Sequence, residues 1–338
     1  MASIREAKEM VAAVLTTEAP LTTMFWGAPG IGKTALVAQA AAEAGVGFKG
    51  VIAHLYQPVD VLGLPYVVDG KCDYAPPTVF PDAERDGPRG VFFLDELPNC
   101  VPAMQSAWGI VVLERSTKHY KFPPGWVIAC AGNRETDRAG ASRLISALEN
   151  RLLHVHVDPS SEEFLRFAVP RGISPVVMSF LDERPDMLLC FDPKSPERAF
   201  PSPRAWERAS DVLKLKLAPS PKLELLKGAI GTGAAVEFDA FVKMFAELPK
   251  LVDVLAGRVD LRAIARPDVL RAVVYSILAW LNDEQTPERF ATAARVTDRL
   301  GEEWSVLLVR RMYDLSPSQM LATPSWRGLS ERFYKYLQ

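Results

Sequence analysis

The chain has 338 residues, 49% of them hydrophobic, enough to bury a large core and to form two domains. Lys and Arg number 39 against 41 Asp and Glu, and this near-zero balance argues against a strongly basic nucleic-acid binder without excluding a local basic patch. The four cysteines, Cys72, Cys100, Cys130 and Cys190, stand far apart with no metal-ligand spacing, which predicts buried free thiols in a reducing compartment.

The N-terminal MASIREAKEM is charged from Arg5 onward and lacks the apolar core of a signal peptide. The longest apolar stretch, VLRAVVYSILAWL, is too short to span a bilayer and carries Arg271. A soluble, cytoplasmic protein with no membrane partner is the expectation. Residues 4–15 place Ile4, Ala7, Met10, Val11 and Val14 at helical spacing. Short apolar runs then alternate with helical segments: TTMFW, VIAHL, VFFLD, WVIACAG and LLHVHV each read as a buried strand. Such alternation predicts an α/β fold, a parallel sheet covered on both faces, which takes its ligands beyond the carboxyl ends of the strands.

Two insertions interrupt the pattern. LPYVVDGKCDYAPP sets Asp69-Gly70 between alternating segments and predicts a tight hairpin. ERSTKHYKFPPGW, after a helix at about 102–114, predicts a second. From about residue 159 the pattern turns helical, punctuated by Pro159, Pro170, Pro193, Pro196, Pro201, Pro203, Pro219 and Pro221. The expected organisation is a core over 1–158, a helical domain over 159–248 and a helical extension over 249–338.

The stretch GAPGIGKT, Gly27 to Thr34, fits G-x-x-x-x-G-K-[ST] between a strand and an alanine-rich helix. Gly30 and Gly32 let backbone N–H groups turn inward on phosphates, Lys33 reaches the β- and γ-phosphates, and the Thr34 hydroxyl ligates Mg²⁺. Gly27, Ala28, Pro29, Ile31 and Ala35 complete the cradle, and the helix points its positive end at the anion. A fortuitous glycine-rich turn is the alternative, and the strand-before, helix-after context weighs against it. VFFLDE, about sixty residues on, delivers Asp95 to hold Mg²⁺ through its water shell and Glu96 to orient and polarise an attacking water. A solvated strand end is the plain reading of that pair taken alone. WVIACAGN ends at Asn133, whose amide can hold the lytic water or the γ-phosphate, or can simply form a turn. SRLISALENRLLHVHV sets Arg151 between a short helix and the fifth strand, where an arginine can stabilise transition-state charge on a neighbouring subunit's nucleotide. Arg143 is a weaker candidate, and a surface helix arginine is the plain reading of both. In PSPRAWERASDVLKL, Arg204 lies in the first turn of a helix entered through Pro201 and Pro203 and capped by Ser202, from which it can reach back to the γ-phosphate.

Together these elements resemble AAA+ ATPases, and more narrowly the MoxR group. GAPGIGKT is similar to Walker A, VFFLDE to Walker B, AGN to sensor 1, SALENRL to the arginine-finger segment and SPRAWE to sensor 2. PVDVLGLP, PPGWVIACAGN, DRAGASRL and GAIGTGAAVEFDAF also look like MoxR-type segments, so the resemblance covers residues 1 to about 245. It implies a P-loop αβα core with a helical lid, ATP and Mg²⁺ as ligands, and ATP hydrolysis at the boundaries of a homo-oligomeric ring, usually a hexamer. It also implies chaperone-like remodelling of a protein client, often a von Willebrand factor A domain protein. Hairpins in this clade face the pore or partner, and Tyr66 and Tyr74 on the first are guesses for that role. The last ninety or so residues carry no assignable motif.

Other residues read more plainly. His154 and His156 alternate on one strand without a companion cysteine or third histidine, so packing or a strand-end role outweighs a metal site. ERFYKYLQ, with Arg332 and Lys335 among aromatics, reads as an amphipathic helix end before it reads as a nucleic-acid stack. RVDLRAIARPDVLR is interrupted by Asp260 and Asp268 and reads as a solvated face. A nucleic-acid-associated motor or loader of a phage or plasmid is the competing function, disfavoured by the balanced charge and the missing DNA-binding motif.

Overall fold

The structure is a computed structural model, and it describes residues 1–19, 21–117, 120–137, 143–245 and 247–337. Helix α1 (Ile4–Val14) starts with a capping box: Ser3 Oγ accepts from the Glu6 N–H, and the Glu6 carboxylate accepts from the Ser3 N–H. Its apolar stripe buries Ala7, Val11 and Val14. There follow β1 (Thr22–Trp26), α2 (Lys33–Glu43), β2 (Gly47–Ile52), α3 (Pro58–Leu62), β3 (Leu64–Val68) and β4 (Lys71–Ala75). After them come β5 (Arg89–Asp95), α4 (Pro102–Glu114), β6 (Gly125–Gly132), α5 (Ser146–Glu149) and β7 (Leu153–His156).

Five strands form one parallel sheet in the order β2-β5-β6-β1-β7. Its central strands are apolar through their middles, with polar residues toward the ends of β1 and β5, because both faces are covered. Successive side chains alternate: Met24, Phe92, Leu94, Ile128 and Cys130 share a core with Trp108 and Val111 of α4 and Leu148 of α5. Their neighbours Phe25, Val91, Phe93, Ala129 and Ala131 are equally buried on the opposite face, where α2 packs on β2, β5 and β6 and against α1. This is the α/β architecture expected from the alternation of apolar runs and helices.

Two of the five runs expected as buried strands differ. VIAHL is strand only to Ile52; residues Ala53–Leu55 turn as a short 3₁₀ helix in which the Ala53 carbonyl accepts the Trp108 indole N–H at 3.0 Å. LLHVHV supplies the other edge strand, β7, and Leu153, His154 and His156 are exposed because only β1 pairs with it. Burial there falls on the flanking Leu152 and Val157. The first hairpin forms as β3 and β4, with Asp69 and Gly70 at φ 51° and 73°, as a two-residue turn of left-handed residues requires. The second is shorter, a bridge from Ser116 to Lys121 flanked by the Phe122 N–H on the Arg115 carbonyl, and its tip at 118–119 lies outside the described residues.

The chain divides into two compact units, Met1–Pro159 with Phe191–Ser195, and Ser160–Cys190 with Pro196–Gln338. The second unit is helical, beginning with α6 (Ser161–Ala168), α7 (Pro175–Glu183) and α8 (Pro203–Lys214). Its core gathers Phe180, Trp206 and Phe238 with Tyr275, Phe290 and Phe333 into one cluster that draws on helices to both sides of residue 248. The rings of Phe180, Trp206 and Phe238 lie within 5.2–5.3 Å of one another, centre to centre. No described helix is long and apolar enough to cross a membrane.

The cysteines split where uniform burial was expected: Cys100 and Cys130 are buried, whereas Cys72 and Cys190 are exposed, Cys72 because it lies on the projecting hairpin. Burial pushes the Cys100 thiol up to about 12 and raises Cys130 as well, so neither is a thiolate near neutrality. In the native protein a thiol reagent at pH 8 should therefore label Cys72 promptly, Cys190 more slowly because partial burial raises its thiol, and the other two only on unfolding. Four fast-reacting thiols would contradict this core.

Candidate functional site

The loop over residues 27–32 joins the end of β1 to the start of α2. Gly30 and Gly32 have φ of 79° and 95°, a left-handed backbone that side chains other than glycine adopt only with strain. Gly32 is the N-cap of α2 and has no side chain with which to cap it, and the N-terminus of the helix opens onto the loop. The Lys33 ammonium is buried at 9% exposure, 2.7 Å from the Gly27 carbonyl, 3.0 Å from that of Ala28 and 2.9 Å from Asn133 Oδ1. Sequence reading selected Lys33 and Asn133 separately, and the fold brings them into one hydrogen bond. β1 and β6 run side by side, with Trp26 opposite Gly132, so the loop and the end of β6 emerge together.

Across β6 stands β5, which ends at Asp95 with Leu94 opposite Cys130. The Thr34 hydroxyl donates to Asp95 Oδ2, and Asp95 Oδ1 accepts the Glu96 N–H at 3.0 Å. Hydroxyl and carboxylate thus converge beside the loop, two hard oxygen donors of the kind that suits Mg²⁺. This donor set fits a magnesium nucleotide. The helix N-terminus and the adjacent ammonium fit its phosphates.

Glu96 follows immediately in a left-handed conformation, φ 56° and ψ 33°, of the strained sort that gathers at functional sites. Its Oε2 is held from two sides, by His54 Nδ1 at 3.1 Å and by Asn99 Nδ2 at 3.1 Å. Sequence reading did not single out either partner. His54 sits two residues past the end of β2, and Ile52 lies opposite Asp95, so the β2–β5 register carries it to Glu96. The signal was therefore the pairing of two strands some forty residues apart, which the local sequence does not show.

The arginines stand apart from this cluster. Arg151 is exposed just beyond α5, its backbone N–H on the Leu148 carbonyl, and its side chain joins none of these contacts among the described residues. Arg143, also exposed, pairs with Glu149 at 3.5 Å. Arg204 lies in the second unit, exposed in the first turn of α8, where Ser202 Oγ accepts the Ala205 N–H at 3.3 Å. Residues 138–142, which make up most of DRAGASRL, lie outside the described residues.

No family profile matches the chain, and no curated protein matches it. Among solved structures it is similar to Thermotoga maritima RuvB. One point mutant of that protein is 17% identical over 83% of each chain with a TM-score of 0.41. RuvB described as the Holliday junction branch migration motor is 15% identical over 81% of this chain and 79% of that one, with a TM-score of 0.37. A supposed ATPase from Cytophaga hutchinsonii is 12% identical over 99% of this chain and 89% of that one, with a TM-score of 0.36. At such scores the chemistry rests on this chain's own residues.

One buried side chain outside the cluster fixes the approach to α5. Gln105 of α4, 1% exposed, donates to the Cys100 carbonyl at 3.1 Å and accepts the Ile145 N–H at 2.8 Å. Gln105→Leu keeps the bulk and removes the partner of these two backbone groups and of the Arg143 carbonyl, 3.4 Å from the same amide, at about 1–3 kcal/mol for each group left unsatisfied. The expected result is a Tm lowered by several degrees; an unchanged Tm would show that those groups find other partners.

Proposed function

We propose that this chain is an AAA+ ATPase of the MoxR group that binds and hydrolyses magnesium ATP at the edge where β1, β5 and β6 end. The observation that carries the reading is the pair of hydrogen bonds Lys33–Asn133 and Thr34–Asp95, which gathers four expected site residues from three strand ends around one glycine-rich loop.

In this reading the loop over 27–32, with Ala35 in the first turn of α2, surrounds the phosphates with backbone N–H groups, and Lys33 neutralises their charge. Thr34 and Asp95 would hold Mg²⁺, which when bound draws charge from the phosphate oxygens and eases loss of the terminal group. Glu96 orients the attacking water and accepts its proton, its carboxylate aimed by His54 and Asn99. Asn133 donates its amide to the water or to the terminal phosphate. Arg151, exposed on its own protomer, serves the nucleotide of the next one, so that two protomers complete each site. Arg204 reports nucleotide state to the helical unit. A homo-oligomeric ring, a hexamer in this family, follows from the shared site. The MoxR-like segments support a protein client, with von Willebrand factor A domain proteins as the class to test, and the balanced charge supports protein over nucleic acid.

Lys33→Ala should weaken binding of a fluorescent ATP analogue by tenfold or more, because the loop loses its counter-charge; unchanged affinity would sink the cradle. Glu96→Gln should keep that affinity while turnover falls by about 10²–10⁴. Full turnover in that variant would remove Glu96 from its role. Arg151→Ala should bind normally and lose turnover by about 10³ or more. Hydrolysis stimulated by DNA with steep salt dependence would move the client from protein to nucleic acid.

A further inference from the structure

The edge strand β7 carries an interaction that the nucleotide chemistry leaves unused. Trp26, the last residue of β1 and the one before the loop, donates its indole N–H to His154 Nδ1 at 2.8 Å. The two rings are stacked, 17° apart in plane with centroids 5.9 Å apart. The other imidazole nitrogen, Nε2, lies 2.7 Å from the Glu149 carbonyl oxygen. His154 pairs in register with Met24, and Met24 and Trp26 alternate onto the same face of the sheet, so the contact follows from β1–β7 pairing.

The partners decide the state of the ring. An indole N–H only donates and a backbone carbonyl only accepts, so His154 must accept at Nδ1 and donate at Nε2. That is the neutral tautomer with its proton on Nε2. Glu149 ends the single turn α5, and its carbonyl is one of those a helix C-terminus leaves without an intrahelical donor. A one-turn helix has little stability of its own and takes its position from what it touches. Among the contacts that hold this one are Leu148, wholly buried in the core, the Gln105 bond to the Ile145 N–H at its start, the Arg143–Glu149 ion pair and the His154 bond to the Glu149 carbonyl. Arg151 is two residues beyond that bonded carbonyl.

We infer that His154 is a positioning residue for Arg151, and that the chain Trp26–His154–Glu149 ties the arginine that a protomer offers its neighbour to that protomer's own phosphate loop. This rests on the reading of Arg151 as the residue acting in trans. The interaction gives the arginine-bearing turn a fixed height above the sheet edge. It also gives the loop a route to that turn through two hydrogen bonds and one ring.

The test separates the two sides of an interface. Arg151→Ala protomers keep an intact pocket and offer no arginine; Glu96→Gln protomers offer an arginine and do not hydrolyse. Mixed together they should recover hydrolysis. Adding His154→Phe to the Glu96→Gln partner, which keeps a stackable ring and removes both hydrogen bonds, should cut that recovery at least tenfold. Adding it to the Arg151→Ala partner should leave recovery within twofold. His154→Gln, able to accept and donate, should restore part of the loss, and Trp26→Phe on the arginine-offering side should reproduce it in a milder form. Affinity for a fluorescent ATP analogue and assembly by light scattering should stay unchanged in every variant. A loss that appears equally on both sides, or on neither, overturns the inference while leaving Arg151 in its role. No recovery in the parental mixture overturns the reading of Arg151 and the inference with it.

Discussion

Parallel pairing is the constraint on which the molecule depends. Strands that all run the same way end at the same edge, and here β1 is held between β6 and β7 while β5 is held between β2 and β6. Lys33 and Asn133, separated by 100 residues, are thereby 2.9 Å apart. Thr34 meets Asp95 by the same route. The central strands are apolar because helices cover both faces, and polar chemistry is driven to the strand ends.

At that edge the charged groups are each met by oriented neighbours. Carbonyls of the loop and the amide oxygen of Asn133 surround the Lys33 ammonium, so a buried positive charge is solvated by fixed dipoles in place of water. Glu96 sits in a left-handed backbone and has its carboxylate gripped by His54 and Asn99. Both arrangements exchange conformational freedom for direction, which is what a site must have if its groups are to act on a reacting phosphate without rearranging first.

The sheet edges do different work from its centre. β2 turns at Ala53 to bring His54 to Glu96, while β7 presents His154 to Trp26 and to the turn that carries Arg151. Edge strands are exposed on one side, which frees their polar side chains to link elements that the apolar core cannot join. The second unit builds its own core around Trp206 and Phe180, and Arg204 stands on the helix that contributes Trp206 to it.

Much of the first unit was legible from local pattern. The N-terminal helix, the apolar central strands, the Asp69-Gly70 turn and the spacing of GAPGIGKT each reflect physics that acts within a few residues: helical periodicity, two-sided burial, turn geometry and glycine's backbone freedom. Those same local rules marked Lys33, Thr34, Asp95, Glu96 and Asn133 as strand-end or loop residues. They could not show that VIAHL and LLHVHV lie at the sheet's edges, nor that Cys72 and Cys190 are exposed, because burial depends on which strands become neighbours. Nor could they reveal His54 on Glu96 or His154 between Trp26 and Glu149. Composition, motif order and the alternation of strands and helices were determined by the sequence alone. The strand order, and with it every contact between distant residues, was decided only by the tertiary structure, since a hydrogen bond between side chains a hundred residues apart exists only once the sheet has set its register.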